Sequence, residues 1–570
     1  MLQRTLVVLL VLAAATSARG QTVVVQGGAG GGTVNITGAP IPPRDNIPRK
    51  TGTAVLRGRV VAADNGQPLR KAQVRIMSPE LRENRLATTD ADGKYEFKEL
   101  PAGRYNVSVS KGSYVSLQYG QTRPFEAGKP LEVQDAQTIE KVDFALPRGS
   151  VITGRIVDEF GEPATDVMVM LQRYQTQGGR RRLVSAGRSG TTNDIGEFRL
   201  FALPPGQYYL TATLRNMTMG ADVTDDRSGY APTYYPGTPN VAEAQRVTVA
   251  IGQTISDLSM SLIPTRTARV SGTAVDSRGL PMTGMVMAIP RGGDFMPMNF
   301  QPSQIRPDGT FSINGVGAGS YTLQTMGQNG PDGEMATAEI TLNGEDVNDV
   351  HLVSSKPSTI SGRIVVDPAA AQSLRPSALR VMLTPVQTDS MMMIPGGGPG
   401  TVNDDLTFQA KARADRMRVL VNPLPPGWGV RAVRYGGADV TDSGIDVKPN
   451  EDVSDVEIEL TNHMPEISGQ VANSKGEIVK DYTVVMFPED RDKWTAANSR
   501  YMRSGRPDQD GRFKLTTVPP GRYYIVALDQ VEQGEGTDPD FLERVRSKAS
   551  SVTLGDGETK SVDLKLNMAS

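Results

Sequence analysis

Asp90 and Asp92 stand two apart ahead of Gly93 in DADGKYEF, and Asp508 and Asp510 repeat the arrangement ahead of Gly511 in DQDGRFKL. Carboxylates at alternate positions before a glycine could begin a calcium loop. Calcium takes six to eight oxygens, and an EF-type loop needs further acids and a distal glutamate that neither stretch supplies. The other reading is a turn, in which Asp or Asn bonds its own backbone and glycine accepts a positive φ. The corresponding positions elsewhere favour the turn. They hold Asn193 and Ile195, then Arg306 and Asp308, while the glycine and the following aromatic stay in four of five copies. Asp90, Asp92, Asp508 and Asp510 are therefore calcium candidates in two places only, and a turn is the expectation.

Other chemistries find fewer residues. There is no cysteine, and the two histidines, His351 and His463, lie 112 positions apart, so no short-spaced zinc pair exists. A Ser-His-Asp or Cys-His centre needs a positioned base, and no motif surrounds either histidine. The runs GGAGGG and PGGGPG lack the Lys-Ser/Thr of a phosphate loop. Acidic residues number 63, yet no segment sets a pair of them on an apolar, pocket-forming background. The expectation is no catalytic residue, no metal and no cofactor. For binding, the best cluster is Tyr230, Tyr234 and Tyr235, interleaved with Pro232 and Pro236. Exposed tyrosines stack on sugar rings or peptide prolines at small entropic cost; the alternative is a loop packed back on its own domain. Arg180, Arg181 and Arg182 could attract an acidic glycan or a lipid phosphate, but read better as a solvated hairpin tip. The methionine-rich stretches near Met296 and Met391 read as adaptable apolar loops.

The elements that carry these residues recur. Five segments open alike, LRGRVVA, ITGRIVD, VSGTAVD, ISGRIVV and ISGQVAN, with glycines at 58, 154, 272, 362 and 469. In four of them a turn follows; then come an acidic-glycine-aromatic strand (without the glycine in the fourth copy), a second turn such as LPAGRY or LPPGQY, and a closing alternating strand. Alternation of β-branched and polar residues between turn signals is the pattern of half-buried strands. A unit near 100 residues with about seven such segments fits a β-sandwich. In KYEFKEL, Tyr95 and Phe97 share one face and Lys94, Glu96 and Lys98 the other. Tyr105, Tyr208, Tyr321 and Tyr523 begin the strand after the second turn and are expected to plug the sandwich edge, with Trp428 taking that place in the fourth repeat. One helix is expected, over residues 538–549, capped by Asp538 with Phe541, Leu542 and Val545 inward.

These motifs together, G-R-[IV]-V-D, G-[EQ]-P, D-x-D-G-x-[FY], P-P-G-x-Y and a terminal V-D-[FL]-x-L, resemble the carboxypeptidase regulatory-like domain family. The resemblance covers residues 53–570 and is weakest in the fourth repeat. It implies a transthyretin-like or prealbumin-like sandwich, grouped with carbohydrate-binding-like and Cna B-type modules, that is non-catalytic and carries no zinc site. The stretch YAPTYYPGTPNVAEAQRVTVAIGQT is similar to a segment of tandem-repeat envelope proteins from environmental bacteria. The isopeptide crosslink that Cna B-type modules form needs a lysine in the first strand, and none of the five opening segments has one.

The chain has 570 residues, too many for one core. Basic residues number 61 against the 63 acids, so no field exists to gather nucleic acid. The N-terminus places Arg4 before an apolar run at 6–15 and small residues at 18–20, a secretory signal. The run is too short to span a membrane, and no later stretch is longer. Export without cysteine fits a bacterial envelope or extracellular protein. The expected organisation is all-β: a signal peptide at 1–20, a Gly/Pro-rich linker at 21–52, then Ig-like or prealbumin-like sandwiches at 53–147, 148–265, 266–357, 358–464 (divergent) and 465–570. The expected partners are a glycan or an envelope protein, the latter if the chain is an accessory subunit of a separate hydrolase or receptor. Neither nucleic acid nor a transmembrane anchor after signal removal is expected.

Overall fold

The computed structural model describes residues 51–569, apart from Arg82, Gly178 and the segments 215–227, 292–300, 327–332, 387–398 and 495–498. The signal, nearly all of the linker, and the methionine-rich stretches around Met296 and Met391 lie outside the described residues. Lys50–Ser570 form one compact unit. Five hydrophobic clusters succeed one another along it, spanning Ala54 to Leu146, Ile152 to Leu262, Ala268 to Leu352, Ile360 to Leu460 and Ile467 to Leu564.

Each cluster lies between two groups of strands, and the first shows the plan. The opening strand Ala54–Ala62 pairs antiparallel with Lys94–Leu100 and parallel with the closing strand Phe144–Leu146. Facing it, Gln73–Met77 pairs with Arg85–Thr88 and Gly103–Ser110, and the last of these with Leu131–Val133. In Lys94–Leu100, Tyr95, Phe97 and Leu100 are buried while Lys94, Glu96 and Lys98 are exposed. The spacing changes after Phe97 because Glu99 sits at φ 55, a bulge that turns Leu100 inward. Ala202 and Thr517 repeat that conformation in the second and fifth modules.

The recurring glycine of the opening strand has one physical cause. A Cβ on Gly58 would lie 1.9 Å from the carbonyl oxygen of Val142, where the closing strand crosses. The same crossing leaves 2.1 Å at Gly154, 1.9 Å at Gly272, 1.8 Å at Gly362 and 1.9 Å at Gly469. Any side chain there would hold the closing strand away from its parallel partner.

The fourth module departs from the sequence expectation. The strand homologous to Gly103–Ser110 is Asp415–Val421, because it pairs with Arg380–Pro385 and with Ile445–Val447 in the matching registers. Met417, fully buried, occupies the place of the tyrosine. Trp428 therefore does not replace it. The string LPPGWG follows that strand and leads into Gly429–Tyr435, which pairs with the closing strand Val453–Thr461. Leu406 stands where the other repeats have the turn glycine and adopts φ 64.

The helix is Pro539–Arg546. Its cap Asp538 accepts from the amides of Asp540 and Phe541, and Phe541, Leu542 and Val545 are buried. They join Val485, Phe487, Trp494, Val526 and Leu528 in a second cluster of the last module.

Candidate functional site

The acidic turns use their side chains on their own backbone. Asp90 Oδ1 accepts from the amides of Asp92 and Lys94 at 2.9 and 2.8 Å. Asp508 does the same for Asp510 and Arg512, both at 2.9 Å, and Asn193 for Ile195 and Glu197 at 3.2 and 2.8 Å. The third and fourth repeats reach the same end by another route. Asp308 Oδ1 accepts from the Thr310 amide and hydroxyl, and Asp405 Oδ1 from those of Thr407. The hydroxyl bonds hold both carboxyls below the usual carboxylate range. Asp92 and Asp510 are exposed; Asp92 lies 3.6 Å from Lys94 Nζ. Among the described residues no group of three or more His, Asp or Glu side chains is placed to hold a metal ion. His351 is exposed, its Nδ1 2.9 Å from Thr273 Oγ1, and His463 is exposed at the end of its strand.

The aromatic positions are used the same way. The hydroxyls of Tyr105, Tyr208 and Tyr523 donate to the carbonyls of Pro101, Pro204 and Pro519, each four residues back at 2.7 Å. All three rings are fully buried. Tyr321 makes the bond to Gly317 at 3.0 Å but is half-buried. Tyr95 donates to the carbonyl of Val142 at 2.6 Å, the oxygen that crosses Gly58. Burial pushes the Tyr105 hydroxyl up to about 12 and raises Tyr95, Tyr208 and Tyr523 further.

None of the three tyrosines chosen as binding candidates stands out in solvent. Tyr234 is 8% exposed and paired with Thr211 in the second module's sheet. Tyr230 and Tyr235 are half-buried and pack against that module's core, and Tyr230 donates to Glu159. That bond raises its hydroxyl to about 12. Arg180, Arg181 and Arg182 lie at the end of the hairpin formed by Val167–Gln177 and Arg180–Ser185, with the Arg181 guanidinium 4.6 Å from the Tyr174 ring centre.

Sequence reasoning missed the most elaborate polar constellation, at the junction of the first and fifth modules. Arg506 of the fifth module and Glu126 of the first are both buried, with Arg506 Nη1 2.6 Å from Glu126 Oε2 and 3.0 Å from the Ala127 carbonyl. Arg506 also pairs with Asp481, which Lys129 reaches at 3.1 Å. Burial would raise the Asp481 carboxyl, but Lys129 and Arg506 hold it below its ordinary value. Gln509 bonds both the amide and the carbonyl of Glu132 at 3.0 Å. Two clefts flank this contact, of about 400 Å³ beside Tyr119, Lys129, Asp143 and Lys480, and of about 460 Å³ beside Arg104, Glu132, Arg512 and Lys514. No sequence signal marks the junction, because its partners lie hundreds of residues apart.

Residues 55–147 and 151–263 match the family model of the carboxypeptidase regulatory-like domain. The first two sandwiches are thus similar to the regulatory-like domain, in tandem within a chain that is almost all β. Similar solved structures include GBS52, the minor pilin of Streptococcus agalactiae, at 13% identity over 37% of this chain and 95% of that one, with a TM-score of 0.21. Two others are BcpA, the major pilin subunit of Bacillus cereus (12% identity, 53% and 99% covered, TM-score 0.13), and the Bacillus anthracis TIE protein (10%, 72% and 72%, 0.14). A comparison with curated proteins gives no match.

Proposed function

We propose that the protein is an exported, non-catalytic string of β-sandwich modules, serving as a binding or structural element of a bacterial cell envelope with carbohydrate as its ligand class. One observation carries the non-catalytic part. The repeated polar residues that could do chemistry bond backbone instead: Asp90, Asn193 and Asp508 cap turns, and Tyr105, Tyr208 and Tyr523 hold carbonyls. The regulatory-like match of the first two modules supports the same reading. Export is supported by Arg4 and the apolar run that follows, and by the lack of cysteine. Among the described residues no helix is long and apolar enough to cross a membrane.

A glycan array with the full chain tests the proposal. A saturable signal is expected, reduced at least tenfold by Tyr235→Ala at unchanged circular dichroism. Tyr234 is unsuited to this test, since truncating a buried ring reports folding. A stoichiometric envelope protein recovered by native pull-down, with no glycan signal, would replace sugar by protein as the ligand. Turnover of a peptide or glycoside by metal-free protein would overturn the non-catalytic reading.

A further inference from the structure

The junction between the first and fifth modules reaches further than Arg506. Backbone also pairs across it: Glu126 bridges to Glu532, and the Gln533 amide donates to the Phe125 carbonyl at 2.9 Å. Arg123 Nη1 donates to the Asp529 carbonyl at 2.6 Å, and Lys129 Nζ to the Lys480 carbonyl at 2.6 Å. The same loop of the fifth module grips the second. Arg173 pairs with Glu532 at 2.7 Å, Gln175 Nε2 donates to the Gln533 carbonyl at 2.8 Å, and Thr176 Oγ1 donates to Asp538 at 2.6 Å. Gly534, at φ 90, lets that loop come close; a Cβ there would lie 2.4 Å from the Thr176 carbonyl. On the facing side Phe125, at φ 60, packs edge-on against Tyr208 under the Arg173 guanidinium.

We propose that this contact is a latch, a reversible closure that holds the last module on the first two and opens as a unit. Its composition argues for closure that can be undone. An apolar interface would be nearly permanent, whereas here ions and main-chain groups meet, and each has a good partner in water once the modules part. The buried pair is also incompletely met by protein: among the described residues Glu126 Oε1 and Arg506 Nε have no hydrogen-bond partner. Taking two charges out of water roughly cancels their attraction unless every lone pair and proton is met, so the pair itself adds little to closure. Removing Arg506 would leave the Glu126 carboxylate buried without its counter-ion and favour the open form. Replacing both with apolar chains of similar size would keep it closed. Both flanking clefts draw residues from the two modules, so whatever fills either one binds only the closed form and strengthens it.

The absence of cysteine makes the test direct. Asp135→Cys on the first module and Ser474→Cys on the fifth are exposed positions for spin labels. Pulsed electron–electron distance measurements on the labelled full chain should give one narrow population. Arg506→Ala should shift at least nine-tenths of it to long, broad distances. Glu126→Met with Arg506→Met should restore the narrow population, which a merely misfolded module would not do. Gly534→Val should open the latch from the other side while circular dichroism stays unchanged. The proposal falls if Arg506→Ala leaves the narrow population in place, if the unaltered chain is already broad, or if the narrow distance proves to lie between two molecules and vanishes on dilution with unlabelled chain.

Discussion

The hydroxyl of Tyr105 satisfies a buried carbonyl that no strand reaches, that of Pro101, and the hydroxyls of Tyr208 and Tyr523 repeat the device. Phenylalanine would keep the ring and orphan the carbonyl, so Tyr105→Phe should cost about 1–2 kcal/mol at pH 7, read from the urea midpoint. The same bonds predict an alkaline limit. Burial raises the Tyr105 hydroxyl to about 12, above the value near 10 that it has in an unfolded chain. The folded state therefore holds the proton more tightly. Its contribution is complete below about pH 10 and is lost as pH rises through the folded value. Urea midpoints should fall between about pH 10 and 12, and absorbance at 295 nm should show the corner tyrosines ionising after the exposed ones. Equal ionisation of all tyrosines near 10 in folded protein would contradict the burial.

At the scale of elements, the decisive feature is the closing strand crossing the opening one over a glycine. Gly58→Ala puts a methyl 1.9 Å from a backbone oxygen that cannot turn aside. The closing strand must move, and the first module should lose more than about 3 kcal/mol, a loss outside the usual range for a point change. Calorimetry of the variant checks it, and a loss under 1 kcal/mol would mean that the strands are not held together there. The glycine, the turns and the helix were legible because their causes are local: a period of two, a cap at Asp538, a positive φ. The fourth module misled for the same reason. LPPGWG carries the turn chemistry of the other repeats but comes one strand later, and only pairing shows that Met417 fills the tyrosine's place. The loop tyrosines were legible as a cluster but not in orientation, since whether Tyr234 faces a sugar or a core depends on the partner Thr211. The Arg506–Glu126 pair was illegible, because 380 positions separate its members and a charge in sequence does not reveal what it will be buried against.

At the scale of the whole compact unit, the junction makes sequence order a poor guide to which parts stand or fall together. Tandem modules joined only to their neighbours unfold as a sum of separate and nearest-neighbour terms. Here the first and last sandwiches share a buried ion pair, so destabilising one withdraws a partner from the other. Scanning calorimetry should therefore show the first and fifth modules melting in one transition. Tyr105→Phe, wholly inside the first module, should lower protection of fifth-module amides as well, measured by hydrogen exchange at Val484, Ile525 and Val526. In an Arg506→Ala background the same Tyr105→Phe change should leave those amides unaffected. The coupling, taken as the difference between the two backgrounds, should be about 1 kcal/mol or more, as for groups in direct contact. If it is zero, the modules only touch, and the chain behaves as independent beads despite the buried charges between them.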